Sequence, residues 1–378
     1  MARKLKSDKW LFIAMLALVC TSVVMVYSAS TVVLGENGQS PYKLLLKQGM
    51  FALVGIALVQ LMMRIDYRTY RQPVVIWTVL GGVAAALVVV LFSHGVKGAS
   101  RWIEIGPLKF QPSEFAKIAI IVFIAALLER RMERIDEPPH ALLPIGVVLG
   151  ALIGLILMQP DLGTAFSIVM IAAVMIFTAG LNYRYLLMLA GMGLPALGVL
   201  IYTSEYRMRR IMAFLDPWSD PTGSGYQPIQ SMISVSVGGI SGRGIMEGLQ
   251  KLFYLPEPHN DFIFAVVGEE LGLIGATVVL ACFCIIAWRG IRTALRAPDR
   301  FGAFLAIGLT TMVAFQALFN ISVVLGLLPT KGIPLPLVSY GGSSLLINLI
   351  GIGILLNVSQ HASASQIVTM TLPTTADA

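Results

Sequence analysis

Charge is scarce in this chain. Asp, Glu, Lys and Arg together make up 12% of its 378 residues, about half the share of an ordinary soluble domain. So little charge excludes a water-soluble globular domain. Cysteine is nearly absent as well. Cys20, Cys282 and Cys284 all lie in apolar runs, with no disulfide framework and no metal-ligand spacing, so they are read as packing residues. Internal repeats with a period of about 20–50 residues, the mark of solenoids, are missing too. The formal net charge is +7, but the basic residues are spread through short loops and do not point to nucleic acid.

Apolar residues are in excess, at 57%. They fall in runs of about 16–25 residues, long enough to cross a bilayer as helices. The expected fold is an all-α polytopic membrane protein of about ten transmembrane helices, with a large extracytoplasmic loop between the seventh and eighth. The spans are read at 10–33, 44–63, 73–93, 113–128, 141–158, 162–180, 184–203, 262–288, 302–326 and 339–358. The fifth to seventh are the least sharply bounded, because Gln159-Pro160-Asp161 and Gly180-Leu181-Asn182 barely separate them. Lys4 and Lys6, with Ser28-Ala29-Ser30 further on, imitate a secretory signal and its cleavage site. The run from Trp10 to Val26 is longer than a typical signal core, so it is read as an uncleaved first helix. This leaves a single membrane domain over 10–358, including the outer loop 204–260. It is flanked by a cytoplasmic tail over 1–9 and a polar, disordered cytoplasmic tail over 359–378.

Lys and Arg in short loops mark the cytoplasmic side. One set of loops holds Arg3, Lys4, Lys6 and Lys9, then Arg64, Arg68 and Arg71, then Arg130, Arg131 and Arg134, then Arg184, then Arg289, Arg292, Arg296 and Arg300. These loops and both termini are therefore assigned to the cytoplasm, and segments 94–112, 204–260 and 327–338 to the outside. The outer loop nonetheless carries Arg207, Arg209 and Arg210. Positive charge there runs against the usual bias and suits either an anionic ligand or the anionic headgroups of the outer leaflet. Gly242-Arg243-Gly244 misses the dinucleotide fingerprint and follows no strand. The glycines of 239–248 are expected to let a loop or a short amphipathic helix lie on the membrane face.

Carboxylates that enter apolar segments are the informative residues, because an ionisable group in a bilayer costs a few kcal/mol or more unless it faces protein or water. Asp261, Glu269 and Glu270 sit where a long polar loop becomes an apolar run. Asp261 is either an N-cap that accepts backbone N–H groups or a carboxylate placed to meet a membrane-bound substrate. Glu269 and Glu270 could form a structural pair tied to Lys or Arg. Only Glu269 could share a helix face with Asp261, roughly 12 Å further along the axis.

Other polar residues gather at the same membrane face. Arg101-Trp102 leads to Gln111-Pro112-Ser113-Glu114-Phe115-Ala116-Lys117. There Ser113 reads as a helix cap, Glu114 and Lys117 as a pair three residues apart, and Trp102 as a possible interfacial anchor. Asp161 stands at a break between spans. The prolines and glycines of Lys331-Gly332-Ile333-Pro334-Leu335-Pro336 and Ser339-Tyr340-Gly341-Gly342-Ser343-Ser344 imply irregular backbone at membrane depth, tolerated only against protein or a watery cavity. Acids and bases gathered there suit a lipid with a polar, anionic head. Arg and Lys hold phosphate as fork and point charge. One carboxylate can take the proton of an attacking hydroxyl, a general-base contribution of about 10²–10⁴-fold. A second carboxylate acting as nucleophile is unnecessary if configuration inverts in one displacement.

In these residues the chain resembles the SEDS family (shape, elongation, division and sporulation) of bacterial FtsW, RodA and SpoVE proteins. Six motifs carry the resemblance, in order, between about residues 8 and 358: Arg101-Trp102 with Gln111 to Lys117; Gln159-Pro160-Asp161-Leu162-Gly163-Thr164; Gly223-Ser224-Gly225-Tyr226-Gln227; Leu255-Pro256-Glu257 with Asp261-Phe262-Ile263-Phe264; Gly268-Glu269-Glu270-Leu271-Gly272; and Leu335-Pro336 with Ser339 to Ser344.

The resemblance implies a ten-helix peptidoglycan glycosyltransferase. It would polymerise lipid II, a disaccharide-pentapeptide on undecaprenyl diphosphate, at the outer face of the bacterial cytoplasmic membrane. The family's essential aspartate falls on Asp261, as catalytic base. Its cavity residues fall on Arg101, Glu114, Lys117, Asp161 and Lys331. Trp102, Arg207, Arg209, Arg210, Glu257, His259 and Ser339 complete the candidate substrate-binding set. The resemblance assigns no definite cofactor and no dedicated all-protein metal cage is expected, although a divalent cation (Mg or Mn) bridging phosphate and Asp261 is compatible with these residues. Expected partners are a class B penicillin-binding transpeptidase and other divisome membrane proteins. Pro329-Thr330-Lys331-Gly332 and Asp216-Pro217-Trp218 resemble the division type more than the elongation type, whereas Asn260 departs from the expected Thr. Two rival readings remain. A flippase for lipid-linked sugar would need a polar path open to both faces, and a non-catalytic scaffold would leave the buried acids unexplained.

Overall fold

The computed structural model describes residues 7–36, 40–92, 101–105, 108–132, 138–181, 183–249, 255 and 258–371. These form twelve α-helices: α1 (Lys9–Glu36), α2 (Tyr42–Arg64), α3 (Pro73–Leu91), α4 (Pro112–Arg131), α5 (Pro138–Met158), α6 (Leu162–Thr178), α7 (Tyr183–Tyr202), α8 (Glu205–Leu215), α9 (Tyr226–Gly238), α10 (Ile263–Leu295), α11 (Arg300–Val324) and α12 (Gly342–Thr371). One small hairpin departs from the all-α pattern. Its strands, β1 (Ile103–Ile105) and β2 (Leu108–Phe110), are antiparallel, with Ile103 opposite Phe110.

Each apolar run expected to span the membrane falls on a helix. On length and composition α1, α2, α3, α7, α10, α11 and α12 can cross a membrane, and Leu142–Met158 of α5 and Leu162–Thr178 of α6 are shorter apolar helices. The protein is therefore a multi-pass membrane protein. α12 overruns its expected end at 358 and continues to Thr371, so residues 359–371 are helical rather than disordered. Neither Gly nor Pro occurs between Gly353 and Pro373, leaving nothing in the chain to stop the helix.

The segment expected as an outer loop is also partly helical. Residues 204–260 contain α8, α9 and a short 3-10 turn over Pro217–Ser219. Asp216 accepts the Trp218 N–H at 3.2 Å, and Asp220 accepts the N–H groups of Gly223 (3.0 Å) and Ser224 (2.7 Å). These are Asx turns, in which a short carboxylate replaces a backbone acceptor. The bonds from the Ser224 backbone and hydroxyl hold the Asp220 carboxyl below its usual range. A Cβ at Gly225 would lie 1.9 Å from the Pro217 carbonyl oxygen, so this turn closes only with glycine there. The expected loop or amphipathic helix over 239–248 is a turn-rich segment packed against α10.

α4, α11 and α12 form the centre. α6 and α3 pack on α4, α2 packs on α12, and α1 and α11 pack on α10, while α7 is peripheral and meets α6 and α8. At the end where α2 and α12 finish, the fold is tied by polar side chains. Tyr67 is fully buried, donates its hydroxyl to Asp299 Oδ2 (2.5 Å) and its N–H to Asn357 Oδ1 (3.0 Å). Arg68 pairs with Asp299 at 3.1 Å, and Arg289 Nε pairs with Asp8 at 2.6 Å.

Candidate functional site

The candidate site lies at the opposite end, where α4, α6, α10 and α12 begin. α4 starts with Pro112 at its first position and Gln111 as N-cap. Ser113, expected as the cap, is instead a buried helical residue, because Pro is suited to the first helical position, where no N–H bond is needed. Its hydroxyl receives Gln111 Nε2–H at 3.0 Å and lies 3.4 Å from Asp161 Oδ2. One turn in, Lys117 Nζ meets Glu114 Oε2 at 2.8 Å with both side chains buried. A pair this deep is held by mutual neutralisation, since either charge alone would be costly.

Asp161 caps α6. Its carboxylate accepts the Thr164 N–H at 3.2 Å and the Thr164 hydroxyl at 2.7 Å. Arg101 braces the same corner, donating Nε–H to the Gln159 carbonyl at 3.1 Å and a second N–H to the Pro160 carbonyl. Gly163, next to the cap, lets the Lys331 stem approach, and a Cβ there would lie 3.1 Å from Lys331 Cε.

Residues 325–341, between α11 and α12, enter the protein body as irregular backbone. Ser339 secures the segment: its hydroxyl receives the Leu335 N–H at 2.8 Å and donates to the Asn260 carbonyl at 2.7 Å. Its neighbour Tyr340 donates its N–H to the His259 carbonyl at 2.9 Å, and the two rings meet edge-on at 5.7 Å. Asn320, from within α11, donates to the carbonyls of Asp261 (2.7 Å) and Ile333 (2.8 Å). These bonds hold Asp261 against the 331–333 turn. A Cβ at Gly332 would lie 2.8 Å from Asp261 Oδ2, so glycine is what allows the carboxylate to sit there.

Asp261 does not cap α10. The N-cap is Phe262, with no side-chain capping bond. Lys331 is pulled down from 10.5 to about 8, first by burial and then by Arg210, Arg207 and Arg101, with Asp161 acting the other way. Among the described residues its ammonium takes part in no ion pair. Arg210 donates to the Thr330 carbonyl at 3.0 Å and lies over the Tyr206 ring at 4.6 Å. Arg207 donates to the Leu200 carbonyl at 2.7 Å.

Asp261, Asp161, Lys331, Arg101, Arg207 and Arg210 thus surround one region, flanked by His259 and Ser339, with the Glu114–Lys117 pair behind it. Arg209 does not join them. It is 64% exposed and faces Glu205 at 3.8 Å, because α8 turns alternate basic residues to opposite sides. Trp102 is exposed. Glu257 lies outside the described residues. Asn320 was not anticipated; its signal was an amide in a largely apolar stretch, where a buried polar group needs partners. Among the described residues no three His, Cys, Asp or Glu side chains are grouped to hold a metal ion. A divalent cation at Asp261 would take its remaining ligands from phosphate oxygens and water, as Mg²⁺ commonly does.

A family described as "Cell cycle protein", the FtsW/RodA/SpoVE group, matches residues 9–364. A probable peptidoglycan glycosyltransferase FtsW of Geobacter sulfurreducens is 46% identical over 93% of this chain and 95% of its own length. Stage V sporulation protein E of Bacillus subtilis is 41% identical over 95% of this chain and 99% of its own. Among solved structures, a chain from a study of how a peptidoglycan synthase complex coordinates polymerization and crosslinking superposes with a TM-score of 0.77. It is 31% identical and covers 95% of this chain and 99% of its own. The Thermus thermophilus rod shape determining protein RodA superposes at 0.69, with 29% identity over 94% of this chain and 97% of its own. The chain belongs to the FtsW/RodA/SpoVE family.

Proposed function

We propose that this protein is a peptidoglycan glycosyltransferase that polymerises lipid II at the outer face of the cytoplasmic membrane, in the synthesis of septal wall. The observation that carries the reading is the position of Asp261. It lies against the 331–333 turn, whose Lys331 is partly desolvated and, among the described residues, in no ion pair. The similarity to proteins named peptidoglycan glycosyltransferase supports it.

In this reading Asp261 takes the proton from the 4-hydroxyl of the acceptor's N-acetylglucosamine. The oxygen forms a bond to the anomeric carbon of N-acetylmuramic acid on the growing chain, while the bond from that carbon to the diphosphate breaks. Undecaprenyl diphosphate leaves with the electron pair. Lys331, Arg207 and Arg210 hold the diphosphate and stabilise the charge it gains. Arg101, Asp161 and the Glu114–Lys117 pair shape the cavity, and His259 and Ser339 position the turn. A divalent cation, if bound, would add charge at the diphosphate. Ten spanning helices with both termini in the cytoplasm, a class B penicillin-binding transpeptidase as partner and a place in the divisome complete the proposal.

The test supplies purified lipid II to the protein in a bilayer, with and without a class B transpeptidase. Glycan strands support the reading. Transbilayer movement of lipid II without any polymer, even with the partner present, would replace it with a flippase.

A further inference from the structure

α10 is two helices joined at a break. Gly272 has φ 63° and ψ −163°, a conformation open to glycine and closed to nearly every other residue. A break inside an apolar helix leaves backbone groups without partners, which is costly at membrane depth. Here the segment after α9 supplies them. Leu273 and Ile274 donate their N–H groups to the carbonyls of Gly239 (2.9 Å) and Ile240 (3.2 Å), while Arg243 and Gly244 donate to the carbonyls of Glu269 and Glu270, both at 3.0 Å. The approach is close enough that a Cβ at Gly242 would lie 2.2 Å from the Glu270 carbonyl oxygen.

The two carboxylates just before the break complete the clasp. Glu269 Oε1 accepts the Leu249 N–H at 2.7 Å, and Glu270 Oε2 accepts the Met246 N–H at 3.0 Å. Ser28 of α1 donates its hydroxyl to the Glu270 carboxylate at 2.6 and 2.7 Å. At its other end α1 is joined to the far half of α10 through Asp8 and Arg289. α1 therefore spans the break like a splint, bonded to each half separately.

The outer half of α10 is short, and Asp261 stands just before it. Because helical continuity ends at Gly272, the direction of that half is set by its side bonds. We propose that Glu269, Glu270 and Ser28 are positioning residues for Asp261: the 239–249 clasp and the α1 splint fix the tilt of the outer half-helix and so the reach of its carboxylate. Neither glutamate contacts substrate in this account. The inference rests on the proposed polymerase reading and on Asp261 as its base.

The test measures lipid II polymerisation by the full-length protein in bilayers, with its transpeptidase partner, for wild type, Ser28→Ala, Glu269→Gln and Glu270→Gln. Ser28→Ala removes a single hydroxyl and keeps the fold even if a glutamate variant does not. Small misplacement of a reacting group costs up to about 100-fold, so kcat should fall about tenfold or more while KM for lipid II stays within about twofold. Hydrogen exchange at Met246 and Leu249 should rise in the glutamate variants. If Ser28→Ala and any folded glutamate variant keep wild-type kcat, or if activity falls only in step with folded protein, the positioning role is wrong and the polymerase reading survives. Absence of polymer from wild type itself would remove the reading beneath the inference, and the inference with it.

Discussion

The two ends of the helix bundle handle charge in opposite ways. At the end where α2 and α12 finish, cations meet carboxylates: Arg68 with Asp299, Arg71 with Glu129 and Arg289 with Asp8. At the end where α4 and α6 begin, Arg101, Arg207 and Arg210 donate to backbone carbonyls, and Lys331 is buried enough to be held near 8. A paired cation has no charge to spare, so the first end is a set of clamps. A cluster of cations bonded to neutral carbonyls still attracts an anion. The difference separates structure from function more clearly than counting polar residues at each end, since both ends are polar.

The sharpest way to break the contrast is at a buried site-end pair that follows the clamp pattern, Glu114 with Lys117. Glu114→Ala strands the Lys117 ammonium in the interior and should destabilise the protein by about 3–5 kcal/mol, read as a drop in thermal midpoint in detergent. Replacing both residues with apolar side chains of similar volume should recover most of that loss, marking the pair as structural. The next effect is at the clamp end. Tyr67→Phe leaves Asp299 without the bond that helps keep its carboxyl low against the burial that raises it. It should cost about 1–3 kcal/mol with polymerisation per folded molecule unchanged.

Lys331 gives a smaller, pH-dependent effect. Its proton is lost near 8 rather than 10.5, so capture of a diphosphate lipid should weaken as pH rises through about 8, and Lys331→Ala should flatten that dependence. Stability moves the other way. The folded-state value lies below the unfolded one, so the penalty of the buried charge is relieved as pH rises above about 8. An opposite slope for binding would remove Lys331 from the diphosphate site. The smallest effect belongs to Arg71→Ala. Its partner is reached across an exposed surface, and such pairs contribute about 0–1 kcal/mol.

The helices were legible because hydropathy alone defines them; the lengths of α2, α3 and α11 follow directly from apolar runs bounded by polar residues. The cluster at one end was legible through acids and glycines that an apolar segment would otherwise exclude, and Asp161, Lys331 and Asp261 do converge. The interior of 204–260 was not. α8 is too charged to register as an apolar run, although its 3.6-residue period is present. The break in α10 was hidden for the opposite reason. Residues 262–288 read as one uninterrupted apolar stretch, and hydropathy carries no information about φ. The signal was Gly-Glu-Glu-Leu-Gly itself: two acids in a membrane helix need partners. Among the described residues those partners include backbone N–H groups 24 and 20 residues upstream, and Ser28.

We propose that the unclamped end is a catalytic centre organised on Asp261. This is tested most directly by glycan polymerisation from purified lipid II by wild type and Asp261→Asn, matched for folding and for transpeptidase binding. The account predicts strands from wild type and none from the variant, with binding of lipid II retained. Full polymerisation by a well-folded Asp261→Asn protein would contradict it and leave Asp261 as a structural residue of the 331–333 turn.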